Sequence, residues 1–187
     1  MKHAVIILAG VAALAGAAAG QPGILHGHAD IKGEGITGTA EFTESDQGGM
    51  GGPNGRGTGK LVTITLAVSG LKPGLHGVHL HAVGKCAPDF AAAGGHFDPG
   101  PSGNQDPDAN HPFHMGDLPQ LVVNANGRGV ERMVTTRVTL SDGPLSLFDA
   151  DGSSIIIHAN QDQGITGDPR SGVSGGPRVA CGVIEKK

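Results

Sequence analysis

Between Lys60 and Val68 the chain alternates, with Val62, Ile64, Leu66 and Val68 on one side and Thr63, Thr65 and Ala67 on the other, until Gly70 ends the run. A period of two is that of a half-buried β-strand. Ile36 to Phe42 and Ser154 to His158 are similar short segments rich in β-branched residues. Leu121-Val122-Val123, then Asn126-Gly127, then Val130 to Leu140 predicts a hairpin turning on the Asn-Gly pair. Arg178 to Ile184 supplies a last strand. About eight short strands, Gly-rich turns and no amphipathic helix after the first residues predict an all-β, antiparallel sandwich or barrel. Two stretches, Val83 to Leu118 and Ala159 to Pro177, are long loops, and loops of such length in a compact domain are usually functional. Ser45 to Gly59 is expected to be a mobile connection.

The ends and the composition narrow the picture. Lys2 and His3, an apolar stretch from Ala4 to about Leu14, and the small residues Ala17-Ala18-Ala19-Gly20 read as a secretory signal peptide over residues 1–20. The domain then spans residues 21–187 of the 187-residue chain. A membrane anchor is the rival reading, but the apolar stretch is short for a bilayer span, and no cysteine follows it to carry a lipid. Export places the two cysteines, Cys86 and Cys181, in an oxidising compartment, where a disulfide is the default and two free buried thiols the alternative. The 34 glycines and 12 prolines approach the level of low-complexity chains, but the alternating strands between them point to a folded domain. A net charge of −4, no basic run, and only five aromatics, all phenylalanine, argue against a nucleic-acid partner. An anionic ligand would have to be drawn by local positive charge.

The chemistry lies in the histidines. His79-Leu80-His81 sits on a predicted strand, so both imidazoles face one way and can reach one metal. His96, His111, His114 and Asp117 fall in the first long loop, His158 on another strand, and Asp162 in the second long loop. Three or four imidazoles suit copper or zinc, and an added carboxylate suits zinc. The cluster reads as two metal sites, built from strand histidines and completed by loop residues. His76 reads as a structural histidine. His26-Gly27-His28 repeats the i, i+2 spacing and could bind copper, though a solvated first strand is the simpler account.

Five ordered motifs carry a resemblance: Gly74-Leu75-His76-Gly77-Val78-His79-Leu80-His81, Gly94-Gly95-His96-Phe97-Asp98-Pro99, His114-Met115-Gly116-Asp117-Leu118-Pro119, Ile156-Ile157-His158 with Asp162, and Gly176-Pro177-Arg178-Val179-Ala180-Cys181-Gly182-Val183-Ile184. From about Ala29 to Ile184 the chain resembles copper–zinc superoxide dismutase of the bacterial exported type. That resemblance implies an antiparallel Greek-key β-sandwich or barrel with two long functional loops. It implies copper and zinc as cofactors, superoxide as substrate, and a periplasmic or extracellular location. His79, His81, His96 and His158 would hold copper, with His96 bridging to zinc. His114 and Asp117 would be zinc ligands, and Arg178 would stand above the copper and attract the anion. Arg178 and His96 would thus carry the catalysis. Asp162 would join a copper-binding to a zinc-binding histidine through hydrogen bonds, as outer carboxylates do. Cys86 and Cys181 would be the family's internal disulfide.

One departure stands out. The family pattern places another histidine near position 104, where this chain has Asn104 and Gln105. His111 supplies the missing imidazole if the loop from Pro101 to Pro112 folds differently; otherwise it is an exposed loop histidine and zinc is weak or absent. The alternative function is a non-catalytic copper- and zinc-binding protein of the same fold. The full copper set together with Arg178 speaks against it, since a storage protein needs no arginine at the open copper face. Monomer and homodimer both stay open.

Overall fold

The computed structural model describes residues 24–46, 59–100 and 103–187. The expected leader lies outside the described residues, as does most of the expected mobile connection. Of that connection, Ser45 and Asp46 belong to a strand and pair with Leu61 and Lys60.

The described residues form β1 (Leu25–Gly33), β2 (Ile36–Asp46), β3 (Lys60–Ser69), β4 (Gly74–His76), β5 (Val78–His81), β6 (Leu121–Val123), β7 (Arg128–Thr135), β8 (Ser154–His158), β9 (Arg178–Val183) and β10 (Glu185–Lys186). Helical structure among them is confined to a 3₁₀ turn at Phe90–Ala93, and none of their helices is long and apolar enough to cross a membrane. The alternation read from Lys60 onward is seen in full: Val62, Ile64, Leu66 and Val68 are all buried in the core with Phe42, Met133 and Leu121. The hairpin also forms, turning at Asn124–Gly127, where Asn124 Oδ1 accepts the amides of Asn126 and Arg128 and Gly127 takes a φ of 72°. Its second strand stops at Thr135 rather than Leu140. The buried carboxylate of Glu44, at the end of β2, accepts the amides of Leu140 and Ser141 and draws that segment out of the ladder.

The strands make one antiparallel sheet in the order β4-β6-β7-β3-β2-β1-β9-β8-β5, with β10 on β1. The neighbours β3–β7 and β1–β9 are far apart in sequence, as in a Greek key. The two ends of this path, β4 and β5, are consecutive in the chain and separated by Gly77 alone. A sheet whose terminal strands are joined by one residue must curl until its edges nearly meet, so the chain forms a nearly closed barrel. Gly77 sits where a Cβ would stand 2.9 Å from the Ser174 carbonyl oxygen and 3.3 Å from His79, so this corner admits only glycine without a shift.

Strand β5 is an edge, and edges in natural sheets are usually covered. Here the first long loop covers it. Leu80 donates its amide to Gly116 and accepts that of Phe97, and Ala82 donates to Gly95. This register sets His81 opposite His96 and His79 opposite Asp117. Cys86 and Cys181 form a disulfide across 95 positions, tying the same loop to β9.

Candidate metal centre

Strands β5 and β8 pair with Val78 opposite Ile157 and His81 opposite Ser154, which brings His158 over the two histidines of β5. His79, His81 and His96 are fully buried and His158 nearly so. Each ring is aimed by a hydrogen bond from one nitrogen. His79 Nε2 donates to Asp162 at 3.1 Å, His81 Nδ1 to the Gly94 carbonyl at 3.0 Å, and His158 Nδ1 to the Gly176 carbonyl at 2.8 Å. Such bonds fix the tautomer and leave the other nitrogen with a free lone pair. His79 Nδ1, His81 Nε2, His96 Nε2 and His158 Nε2 are all buried without a partner among the described residues. One unpaired buried polar atom costs about 1–3 kcal/mol. Nitrogen atoms of these four residues lie within 4.8 Å of one another. Four lone pairs converging in a buried space fit a copper ion.

The second cluster shares His96. Its Nδ1 lies 2.7 Å from Asp117 Oδ1 and 3.3 Å from His114 Nδ1. His114 Nδ1 lies 2.9 Å, and His111 Nδ1 3.3 Å, from Asp117 Oδ2. A close grouping can also be drawn from His79, His96, His111 and Asp117. But His79 already gives Nε2 to Asp162 and turns Nδ1 toward the first cluster, so His114 is the better fourth member. Three imidazole nitrogens around a carboxylate suit zinc.

His111 is wholly buried and is not an exposed loop histidine. Its Nε2 donates to Asp162 Oδ1 at 2.7 Å, so Asp162 holds one histidine of each cluster, one on each oxygen. Asn104 and Gln105 are exposed. The Asn104 side chain accepts the amide of Asp106, and Gln105 gives its carbonyl to the amide of His96, so neither reaches the cluster. His76 sends its ring nitrogens to the carbonyls of His158 and Lys72, as expected of a structural residue. His26 and His28 stay on the surface of β1, where His28 is held between Glu41 and Asp30.

The electrostatics differ between the clusters. Burial pushes His79 down to about 3 and His158 to about 4, and lowers His81 and His96 as well, so these rings are neutral and able to donate lone pairs. Burial acts the same way on His111, but its contacts with the carboxylates of Asp117 and Asp162 overcome it and raise the ring to about 9. Burial pushes Asp117 and Asp162 upward, yet their histidine partners hold both well below the carboxylate range. A field that favours a proton so strongly also favours a metal cation.

Arg178 is the first residue of β9. Its guanidinium donates at 2.6 Å to each of the Phe90 and Gly94 carbonyls, and Gly94 is also the acceptor for His81. The disulfide anchors the loop that carries both carbonyls. A cavity of about 400 Å³ opens beside His158, lined by Arg178 and Arg170. A larger one, about 510 Å³, lies between Glu34 and Phe90 and reaches none of the clustered histidines.

Several parts had no sequence signal of their own: the Gly94 and Gly176 carbonyls, and Arg137, which donates to the Asp117 carbonyl. The glycine pairs beside His96 and Arg178 were the only hint. A Cβ at Gly175 would stand 2.7 Å from His158 Cβ, so the backbone reaches that ring only as glycine. Three other buried atoms, His111 Nδ1, His114 Nε2 and Ser153 Oγ, lack a hydrogen-bond partner among the described residues, and the first of them faces Asp117.

The sequence profile of copper/zinc superoxide dismutases matches residues 36–184. A Cu-Zn superoxide dismutase of Deinococcus radiodurans is 38% identical over 177 residues, covering 89% of this chain and 86% of its own. One from Caulobacter vibrioides is 42% identical over 130 residues, 66% of this chain and 71% of its own. Among solved structures, a double mutant of a SOD-like protein from Bacillus subtilis superposes with a TM-score of 0.66 at 35% identity, covering 83% of this chain and 95% of that one.

Proposed function

The chain belongs to the copper/zinc superoxide dismutase family, and on that premise we propose that it works through copper held by His79, His81, His96 and His158 and zinc held by His96, His111, His114 and Asp117. The enzyme converts two superoxide anions and two protons to dioxygen and hydrogen peroxide. The observation that carries the assignment is the quartet of buried, unpartnered nitrogens, one of them on a ring whose other nitrogen faces Asp117.

Bound copper would supply one-electron chemistry for the two half-reactions, and zinc would supply fixed charge. The residues do the rest. His79, His81 and His158 are neutral at pH 7 and rigidly oriented, so they bind without first losing a proton. His96 presents nitrogen to both clusters, and its Nε2 can hold a proton between the half-reactions and give it to the departing peroxide. Asp117 steadies His96 from the far side. Asp162 holds His79 and His111 together. Arg178 keeps its charge because a guanidinium does not deprotonate in proteins. Fixed by two carbonyls at the cavity beside His158, it offers local attraction in a protein of net charge −4.

Export to the periplasm or the external medium, directed by residues 1–20, belongs to the same reading. The Cys86–Cys181 bond and the bacterial relatives support it.

The test is superoxide decay with the disulfide-bonded protein carrying one copper per chain, with and without zinc. A fast rate that declines with salt is expected. Bound copper with decay no faster than in buffer would leave a non-catalytic copper- and zinc-binding protein instead.

A further inference from the structure

Among the buried carboxylates that the mechanism above does not use, Asp108 joins the two long loops. Asp108 lies in the first long loop and is only 4% exposed. Its oxygens are filled entirely from the second long loop. Oδ2 accepts the Gly172 amide at 2.9 Å, and Oδ1 accepts the Ser174 amide at 3.0 Å and the Ser174 hydroxyl at 2.8 Å. Its main-chain carbonyl accepts the Gly167 amide at 2.9 Å. The turn from Gly167 to Ser174 is therefore staked at both ends on a single residue.

That turn carries Arg170, which is exposed and has a φ of 64°. A non-glycine residue in the left-handed region is strained and persists where its surroundings over-determine it. The four bonds to Asp108 provide that constraint. They also place Arg170 at the cavity that His158 and Arg178 line, with Asp108 and Ser174 forming part of the same wall.

We propose that Asp108 is a positioning residue that clamps the Gly167–Ser174 turn so that Arg170 joins Arg178 in drawing superoxide toward His158. The inference rests on the reading that this cavity is the substrate's approach. Burial alone would raise the Asp108 carboxyl, but its donors from Gly172 and Ser174 outweigh burial and keep it below its ordinary range, so the clamp stays ionised. Joining the two loops by a charged acceptor, and not by apolar packing, sets the turn in one register, because amide donors accept few alternative geometries.

The test uses Asp108→Asn, which keeps the size but turns one acceptor oxygen into a donor facing N–H groups. In the metal-free protein, amide exchange at Gly172 and Ser174 is expected to rise about tenfold or more. In the loaded enzyme, with copper and zinc content unchanged, the rate per copper is expected to fall about three- to tenfold at low salt. The deficit should close as salt approaches about 1 M, where charge steering is screened within about 3 Å. Arg170→Ala should reproduce the rate loss with the amides still protected, and the double variant should be no slower than either single one. If Asp108→Asn fails to fold, Ser174→Ala removes one donor and should shift exchange and rate in the same direction by less. Unchanged exchange overturns the clamp. Raised exchange with an unchanged rate and salt slope reduces Asp108 to a structural bond, which also overturns the proposal. A parent enzyme with no dismutation would sink the reading of the site, while the exchange measurement would still report on the clamp.

Discussion

The two halves of the centre are built on opposite principles. His79, His81 and His158 stand on β5 and β8, whose side chains are buried on both faces, and each of these rings is pushed down by burial. His111, His114 and Asp117 stand on a loop, and there the ring of His111 is raised, against burial, by two carboxylates. Strands deliver neutral ligands at a spacing the backbone dictates. The loop delivers negative charge, which suits a divalent cation. His96 belongs to both, through its register opposite His81 and its contact with Asp117.

Removing a strand ligand should do the most damage. His158→Ala is expected to lower copper affinity and dismutation by more than about a hundredfold, since even outer partners of metal ligands cost about 10–100-fold. Copper retained on dialysis, followed by superoxide decay, checks this. Asp162→Asn comes next, because Asp162 is the carboxylate that touches both halves. Both metals should weaken by about 10–100-fold, and a competition titration that finds only zinc weakened would break the link between the halves. Arg178→Ala should leave metal content intact and slow the reaction by about tenfold at low salt, with a flatter salt dependence. Equal loss at all salt concentrations would assign Arg178 to packing.

A last contrast separates the halves by sign, in the metal-free protein. An unfolded histidine titrates near 6.5. His79 at about 3 and His158 at about 4 refuse protons that the unfolded chain accepts, so they cost nothing above pH 6.5 and lower stability as pH falls from 6.5 toward 4. Each can cost at most about 1.4 kcal/mol per pH unit. His111, at about 9, contributes stability that is full below pH 6.5 and is lost as pH rises through 9. Urea midpoints should therefore peak near pH 6.5, and His111→Gln should remove the alkaline decline alone. A flat profile from pH 5 to 9 would contradict the contrast.

Much of this was legible in advance, for reasons that differ from residue to residue. Val62, Ile64, Leu66 and Val68 were readable because strand period is a local property of the backbone. The pairing of His79 with His81 followed from the same period. The end of β7 was not readable, because Glu44, remote in sequence, decides it by capturing the Leu140 and Ser141 amides. Nor was the burial of His111 between Asp117 and Asp162, since it depends on how the loop folds. Barrel closure through Gly77 and the clamp at Asp108 join segments that share no pattern.

The sequence by itself determined most of the strands, the donor types and the five motifs, because periodicity and side-chain chemistry are carried by near neighbours. Tertiary structure alone decided which nitrogen of each ring is free, which loop histidine joins Asp117, and where the positive charges meet the cavity. Those outcomes depend on single hydrogen bonds to carbonyls and carboxylates brought in from distant parts of the chain.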